Sequence, residues 1–159
     1  MASEPILEPD LPIVDPHHHL WDRIPTLSTL PLPEHPFTRI IANNPRYLLD
    51  EFLADLRSGH NIRATVFLEC GAMYRAGGPD ALKCVGETEF VNGVAAMSAS
   101  GIYGEVRVAA GIVGHANLRL GDQVEDVLRA HIHAGNGRFR GIRHSASYDE
   151  GGVLIVAVL

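Results

Sequence analysis

The strongest constraint on this chain is a regular alternation of two apolar patterns. Short runs of strand type, at Ile13–His19, Ile62–Cys70, Val106–Val113 and Phe139–His144, are separated by longer stretches with helical spacing. Ala64-Thr65-Val66-Phe67-Leu68 is near-continuous in apolar character, as expected of a strand buried on both faces. Between the runs, Leu48, Leu49, Phe52, Leu53 and Leu56 recur at helical spacing, as do Phe90, Val94 and Met97, and then Val124, Val127, Leu128 and Ile132. These stripes predict helices over about 44–59, 88–99 and 122–133. Asn44-Pro45 reads as a cap and first helical residue, Asp122 as a second cap, and Gly59 and Gly135-Asn136-Gly137 as stops. The resulting order, β-α-β-α-β-α-β, implies a mostly parallel sheet joined by right-handed crossovers. A doubly wound sheet and a (β/α)8 barrel both satisfy it. No G-x-G-x-x-G follows the first run, which argues against dinucleotide binding.

The chain has 159 residues, 46% hydrophobic and 20% charged, which suits a single globular domain over 1–159. A net charge of −6 argues against a nucleic-acid or anionic-membrane surface. Cys70 and Cys84 form no CxxC pair, the acidic N-terminus is not of signal-peptide type, and no apolar stretch is long enough to span a bilayer. A reducing, cytoplasmic setting is therefore expected, with a small-molecule substrate as partner. Residues 23–45 carry five prolines and little periodicity, so they are expected to be a long loop, functional or inserted. Residues 150–159 are an apolar, β-branched tail that breaks the alternation.

In both candidate architectures chemistry gathers at the C-terminal ends of the strands. The first run continues as Asp15-Pro16-His17-His18-His19. Strand alternation would place Asp15, His17 and His19 on one face and His18 on the other. Two imidazoles so spaced, about 6.7 Å apart at the backbone, can bend toward one borderline divalent ion such as zinc. The second run ends in Glu69, the third is followed by His115, and the fourth ends in Arg143-His144. Arg143 would suit a substrate carboxylate and His144 a proton transfer; the structural alternatives are an ion pair and a hydrogen-bonded core imidazole. Alternation turns only one of these two inward and does not say which. His131 and His133 point to nearly opposite helix faces, which reads as surface or C-terminal helix residues complementing the helix dipole. His35 and His60 have no partners legible in the sequence. Cys70 reads as a small buried filler rather than a nucleophile, and Tyr148 and Asp149 as part of a following loop.

Val14-Asp15-Pro16-His17-His18-His19-Leu20-Trp21-Asp22 resembles the first-strand signature of the amidohydrolase superfamily, and within it the amidohydrolase-related (amidohydrolase 2) branch of TIM-barrel hydrolases. That branch includes sugar lactonases and the pyrone-dicarboxylate lactonase. Gly86–Gly93, Ala109–Leu118 and Phe139–His144 are similar to the same branch, so the resemblance runs over about residues 13–149. It implies a (β/α)8 barrel of which this chain carries about the first four β/α units. It further implies metal-assisted hydrolysis of a lactone or related cyclic ester or amide. His17 and His19 match the metal ligands, Glu69, Arg143 and His144 stand where catalytic groups gather, and Arg143 and His115 where substrate is held. The implied cofactor is a divalent metal, zinc by ligand type, although some members work without a tightly bound ion. The only lysine, Lys83, lies outside the fourth strand, which excludes a lysine-bridged pair of metals. The histidines of the family's strands five and six and the aspartate of strand eight have no counterpart. A truncated, non-catalytic chain that self-associates through half-barrel edges, or a decarboxylase of the same superfamily, is therefore the competing expectation, with a simple metal-binding α/β module using His17, His19 and His115 as a third.

Overall fold

The computed structural model describes residues 4–27, 36–146 and 150. Its strands are β1 (Ile13–His18), β2 (Trp21–Asp22), β3 (Arg46–Tyr47), β4 (Ile62–Leu68), β5 (Arg107–His115) and β6 (Phe139–Arg143). Its α-helices are α1 (Ile24–Leu27), α2 (Pro36–Asn43), α3 (Leu49–Leu56), α4 (Val85–Ala99) and α5 (Val124–Ala134). β1, β4, β5 and β6 form one parallel sheet in that order, which is also their order in the chain. The protein is thus a mixed α/β fold on a parallel sheet, as the alternation of patterns requires. Among the described residues no helix is long and apolar enough to cross a membrane.

Burial separates the two faces of the sheet. Thr65 and Phe67 of β4 and Val108 and Ile112 of β5 are fully or almost fully buried. Phe67, Val108 and Ile112 lie with Leu49, Phe52, Leu53 and Leu56 of α3 and Val91, Val94 and Ala95 of α4 in one apolar cluster. A smaller cluster, Cys84, Val85, Ala116 and Val127, joins α4 to α5. Val14, Ala64, Val66 and Leu68, on the opposite face, are only partly covered. β4 is therefore fully buried on one face only.

Several expected boundaries shift, each for a local reason. Asn44-Pro45 does not start a helix: the Asn44 side-chain amide donates to the Ile40 carbonyl at the end of α2, and the Pro45 carbonyl accepts the Arg23 amide. The helix begins after Leu48, whose amide donates to Glu51. α4 starts earlier than its apolar stripe suggests and buries Val91, Val94, Ala95 and Ser98, leaving Met97 exposed. α5 begins at Val124 after a 3-10 turn over Leu118–Gln123, so Asp122 is not its cap, and Ile132 faces solvent. β5 runs on to His115.

The proline-rich stretch is not featureless, for it contains α1 and α2, and its ends are clipped together. β2 and β3 pair antiparallel, Trp21 stacks on Tyr47, and the Trp21 indole donates to the Asn44 carbonyl at 2.7 Å. Its middle (28–35, with Pro31, Pro33 and His35), Tyr148 and Asp149, and the tail 151–159 lie outside the described residues.

Candidate functional site

The C-terminal edge of the parallel sheet carries the residues of interest. β1 reaches it through a bulge. Asp15 pairs with Thr65 and His18 with Phe67, so three steps on β1 match two on β4, with Pro16-His17 as the irregular segment. Proline is tolerated here because β1 is an outer strand of the sheet, and bulges of this kind re-aim side chains. The bulge corrects one expectation from simple alternation. Asp15 shares its face with His18, alongside buried Thr65 and Phe67, rather than with His17 and His19. Asp15 instead accepts the His17 amide at 3.1 Å.

His18 stacks on Phe52 at 4.4 Å and meets Phe67 edge-on, within the helix-covered face. Burial pushes its pKa down to about 4, outweighing the opposite pull of Asp15. His17 and His19 leave on the other side, and their Nε2 atoms converge to 3.0 Å. His19 Nδ1 lies 2.8 Å from the Leu68 carbonyl, which can only accept, so Nδ1 carries the proton and Nε2 presents a lone pair. Burial lowers the His19 pKa, which keeps the neutral, ligating form. An imidazole whose far nitrogen is fixed by a backbone carbonyl is the usual setting of a metal ligand. Two nitrogens each about 2.0–2.1 Å from one ion and near right angles lie about 3 Å apart. In the structure this contact is a hydrogen bond, His17 Nε2 donating to His19 Nε2, and a divalent ion would have to replace that proton to take both nitrogens as ligands. Among the described residues no group of three or more His, Cys, Asp or Glu is arranged to hold one.

Across the sheet, Arg143 Nε donates to Glu69 Oε1 at 2.5 Å and Nη2 to the Glu69 carbonyl at 2.6 Å. The Glu69 amide in turn donates to Val113, which extends the β4–β5 pairing by one residue. Glu69 is mostly buried, while the Arg143 side chain keeps 42% exposure and can still take a ligand. His19 lies within electrostatic reach of both. His115 pairs with Arg143 in register and its ring stacks on His144 at 5.6 Å. The alternation dilemma at Arg143-His144 does not arise, because β6 ends at Arg143 and the next residue is released from the pleat. His144 Nδ1 is buried without a hydrogen-bond partner among the described residues. The structure thus gathers the strand-end groups into a His17–His19 pair, a Glu69–Arg143 pair and a His115–His144 stack.

No family model and no solved structure matches this chain. A curated relative, uncharacterized protein y4mH of Sinorhizobium fredii (strain NBRC 101917 / NGR234), is 35% identical over 147 residues. The match takes in 90% of this chain and 43% of the relative, so the chain spans less than half of that protein's length.

Two buried polar residues around the site escape a reading based on strand ends. Glu87, in the first turn of α4, is 1% exposed and accepts the amides of Cys70 and Ala72, both at 2.9 Å. Burial raises its pKa to about 7 against the pull of those two amides. His131 is fully buried, which overturns its expected place on the surface; His133 is exposed. His131 Nε2 lies 2.8 Å from the His115 carbonyl and His131 Nδ1 2.8 Å from Thr88 Oγ1, so His131 donates to the strand end and accepts from the hydroxyl. Its ring lies flat on Phe139 at 5.1 Å. Gly114 makes room for it, since a Cβ there would meet the His131 ring at 3.0 Å. Cys70 is half-buried and its thiol is pushed up to about 12, chiefly by burial, which suits packing and not nucleophilic attack.

Proposed function

We propose that this chain supplies the first half of a (β/α)8-barrel hydrolase site that opens a lactone or related cyclic ester or amide with the help of a divalent metal. The barrel reading is supported by a parallel sheet whose spatial order equals its sequence order, with no switch point, and by helices α3 and α4 sharing one cluster on one face. The observation that carries the chemistry is the convergence of His17 Nε2 and His19 Nε2 to 3.0 Å, with the His19 tautomer fixed by Leu68.

When bound, the metal would polarise a carbonyl or acidify a water. Everything else falls to side chains of this chain. Arg143, oriented by its two bonds to Glu69, would receive a substrate carboxylate or carbonyl oxygen. His115 would line the same pocket from the neighbouring strand. His144, whose Nδ1 has no hydrogen-bond partner among the described residues, would carry a proton to or from the ring oxygen that leaves. A non-catalytic chain is the second reading, favoured by the want of a third ligand among the described residues.

Titration of the protein with zinc, followed by calorimetry, separates the two. The catalytic reading expects one saturable ion per chain, lost in His17→Ala and in His19→Ala while both variants keep the wild-type circular dichroism. It then expects zinc-dependent opening of carboxylated lactones that fails in Arg143→Ala. Zinc binding unaffected by either histidine variant would sink the metal site.

A further inference from the structure

The turn that follows β4 holds Glu69 against Arg143, and nothing in its own sequence makes it rigid. Gly71 sits at φ +72° and Met73 at +56°, so the chain twists sharply just past the site. Arg23 Nη2 donates to the Cys70 carbonyl at 2.8 Å, and the amide side of the turn is held by a single carboxylate oxygen from another element. Glu87 Oε1 accepts the amides of both Cys70 and Ala72, bracketing the turn from beneath. Buried backbone amides need a partner, and this acceptor answers two of them at once.

The placement is costly and specific. A carboxylate buried to this extent loses several kcal/mol of hydration, by order of magnitude, unless charge or hydrogen bonds offset it. Here the offsets are the two amides and the positive end of α4, in whose first turn Glu87 stands. The second oxygen, Oε2, has no hydrogen-bond partner among the described residues. The residue before it is shaped for the approach: a Cβ on Gly86 would fall 2.6 Å from the Met73 carbonyl oxygen and 2.7 Å from the Arg75 amide nitrogen. The helix start can press against the turn only because that Cβ is missing.

We propose that Glu87 is a positioning residue: by clamping the Cys70 and Ala72 amides it sets where Glu69 presents its carboxylate and carbonyl to Arg143. This rests on the reading above that the Glu69–Arg143 pair serves a substrate, but its geometry can be tested without turnover.

The experiment is amide hydrogen exchange by NMR on the full chain, with the Arg143 Nε–H resonance as a second probe. Wild type should show slow exchange at Cys70 and Ala72 and a protected Arg143 Nε–H. Glu87→Leu should speed exchange at both amides by about tenfold or more, the scale of one lost hydrogen bond to a charged group, and should lose the protected arginine signal. The amide of Ile112, bonded to the Arg138 carbonyl, should keep its protection. Glu87→Gln keeps an acceptor oxygen in place and should restore the arginine signal. An Arg143 Nε–H that stays protected in a folded Glu87→Leu protein would overturn the proposal. So would loss of protection throughout the sheet, because Glu87 would then be a general core residue. If the exchange pattern holds while no lactone is opened, the proposed reaction fails and the positioning role stands.

Discussion

His18 shows how one residue between two site histidines acquires a different task. It points into the face covered by α3, against Phe52 and Phe67, and burial holds its pKa at about 4, below the ordinary 6.5. The native ring thus stays neutral while the unfolded chain takes up a proton as pH falls through 6.5. This contribution is fully present above the unfolded value and is lost as pH falls toward 4, where the loss amounts to about 3 kcal/mol. His19 and His131, both also lowered chiefly by burial, act in the same direction. Urea unfolding followed from neutral pH down to about the folded-state pKa should therefore show falling stability. In His18→Phe, which keeps a ring against Phe52, that slope should become shallower. An unchanged slope would show that His18 does not carry the effect.

At the scale of elements, α4 is the part of the structure on which most depends and the part the sequence describes least well. Its apolar positions are so many that a stripe through Phe90, Val94 and Met97 looks as good as the true face through Val91, Val94 and Ala95. Its polar residues are hidden in the same way: Glu87, Thr88 and Ser98 are all buried, Glu87 serving a turn, Thr88 the α5 residue His131, and Ser98 the start of β5. Those partners lie eight or more residues away, so no local pattern announces them. The four strands of the parallel sheet, in contrast, are legible because each is a short apolar run ending in or followed by an ionisable residue, whereas the two-residue strands β2 and β3 are too short to leave a pattern. The bulge at Pro16-His17 is not legible either, because alternation assumes an unbroken register. The close contact at the start of α4 gives this element its own prediction. Gly86→Ala should destabilise the protein by about 1–3 kcal/mol, since the new Cβ meets backbone that must shift. Denaturant unfolding measures it. A neutral substitution would mean that the 73–75 segment moves away freely.

For the molecule as a whole, the open geometry of the sheet matters most. Sequence order and spatial order coincide, so β1 and β6 are the outer strands, and among the described residues each has an edge with no strand partner. The face opposite the helices is also thinly covered: Val14 on β1 is 59% exposed, and Ala64, Val66 and Leu68 beside it are only half-buried. Unpaired edges next to uncovered apolar surface invite a further strand, whether from the same protein or a second molecule. The matched relative is more than twice as long as the segment aligned here, which leaves room for such strands within one chain. A second copy of the 159-residue protein can offer such a strand as well. Its sedimentation coefficient should therefore rise with concentration, and its denaturation midpoint with it, because association that requires the folded state stabilises that state. Val14→Lys places a charge on the outer strand and its exposed face, the kind of residue that blunts sheet edges. This variant should sediment as a smaller species at equal concentration and unfold at a midpoint independent of concentration. A wild-type chain that remains monomeric across a wide concentration range would show instead that the edges are closed within the molecule.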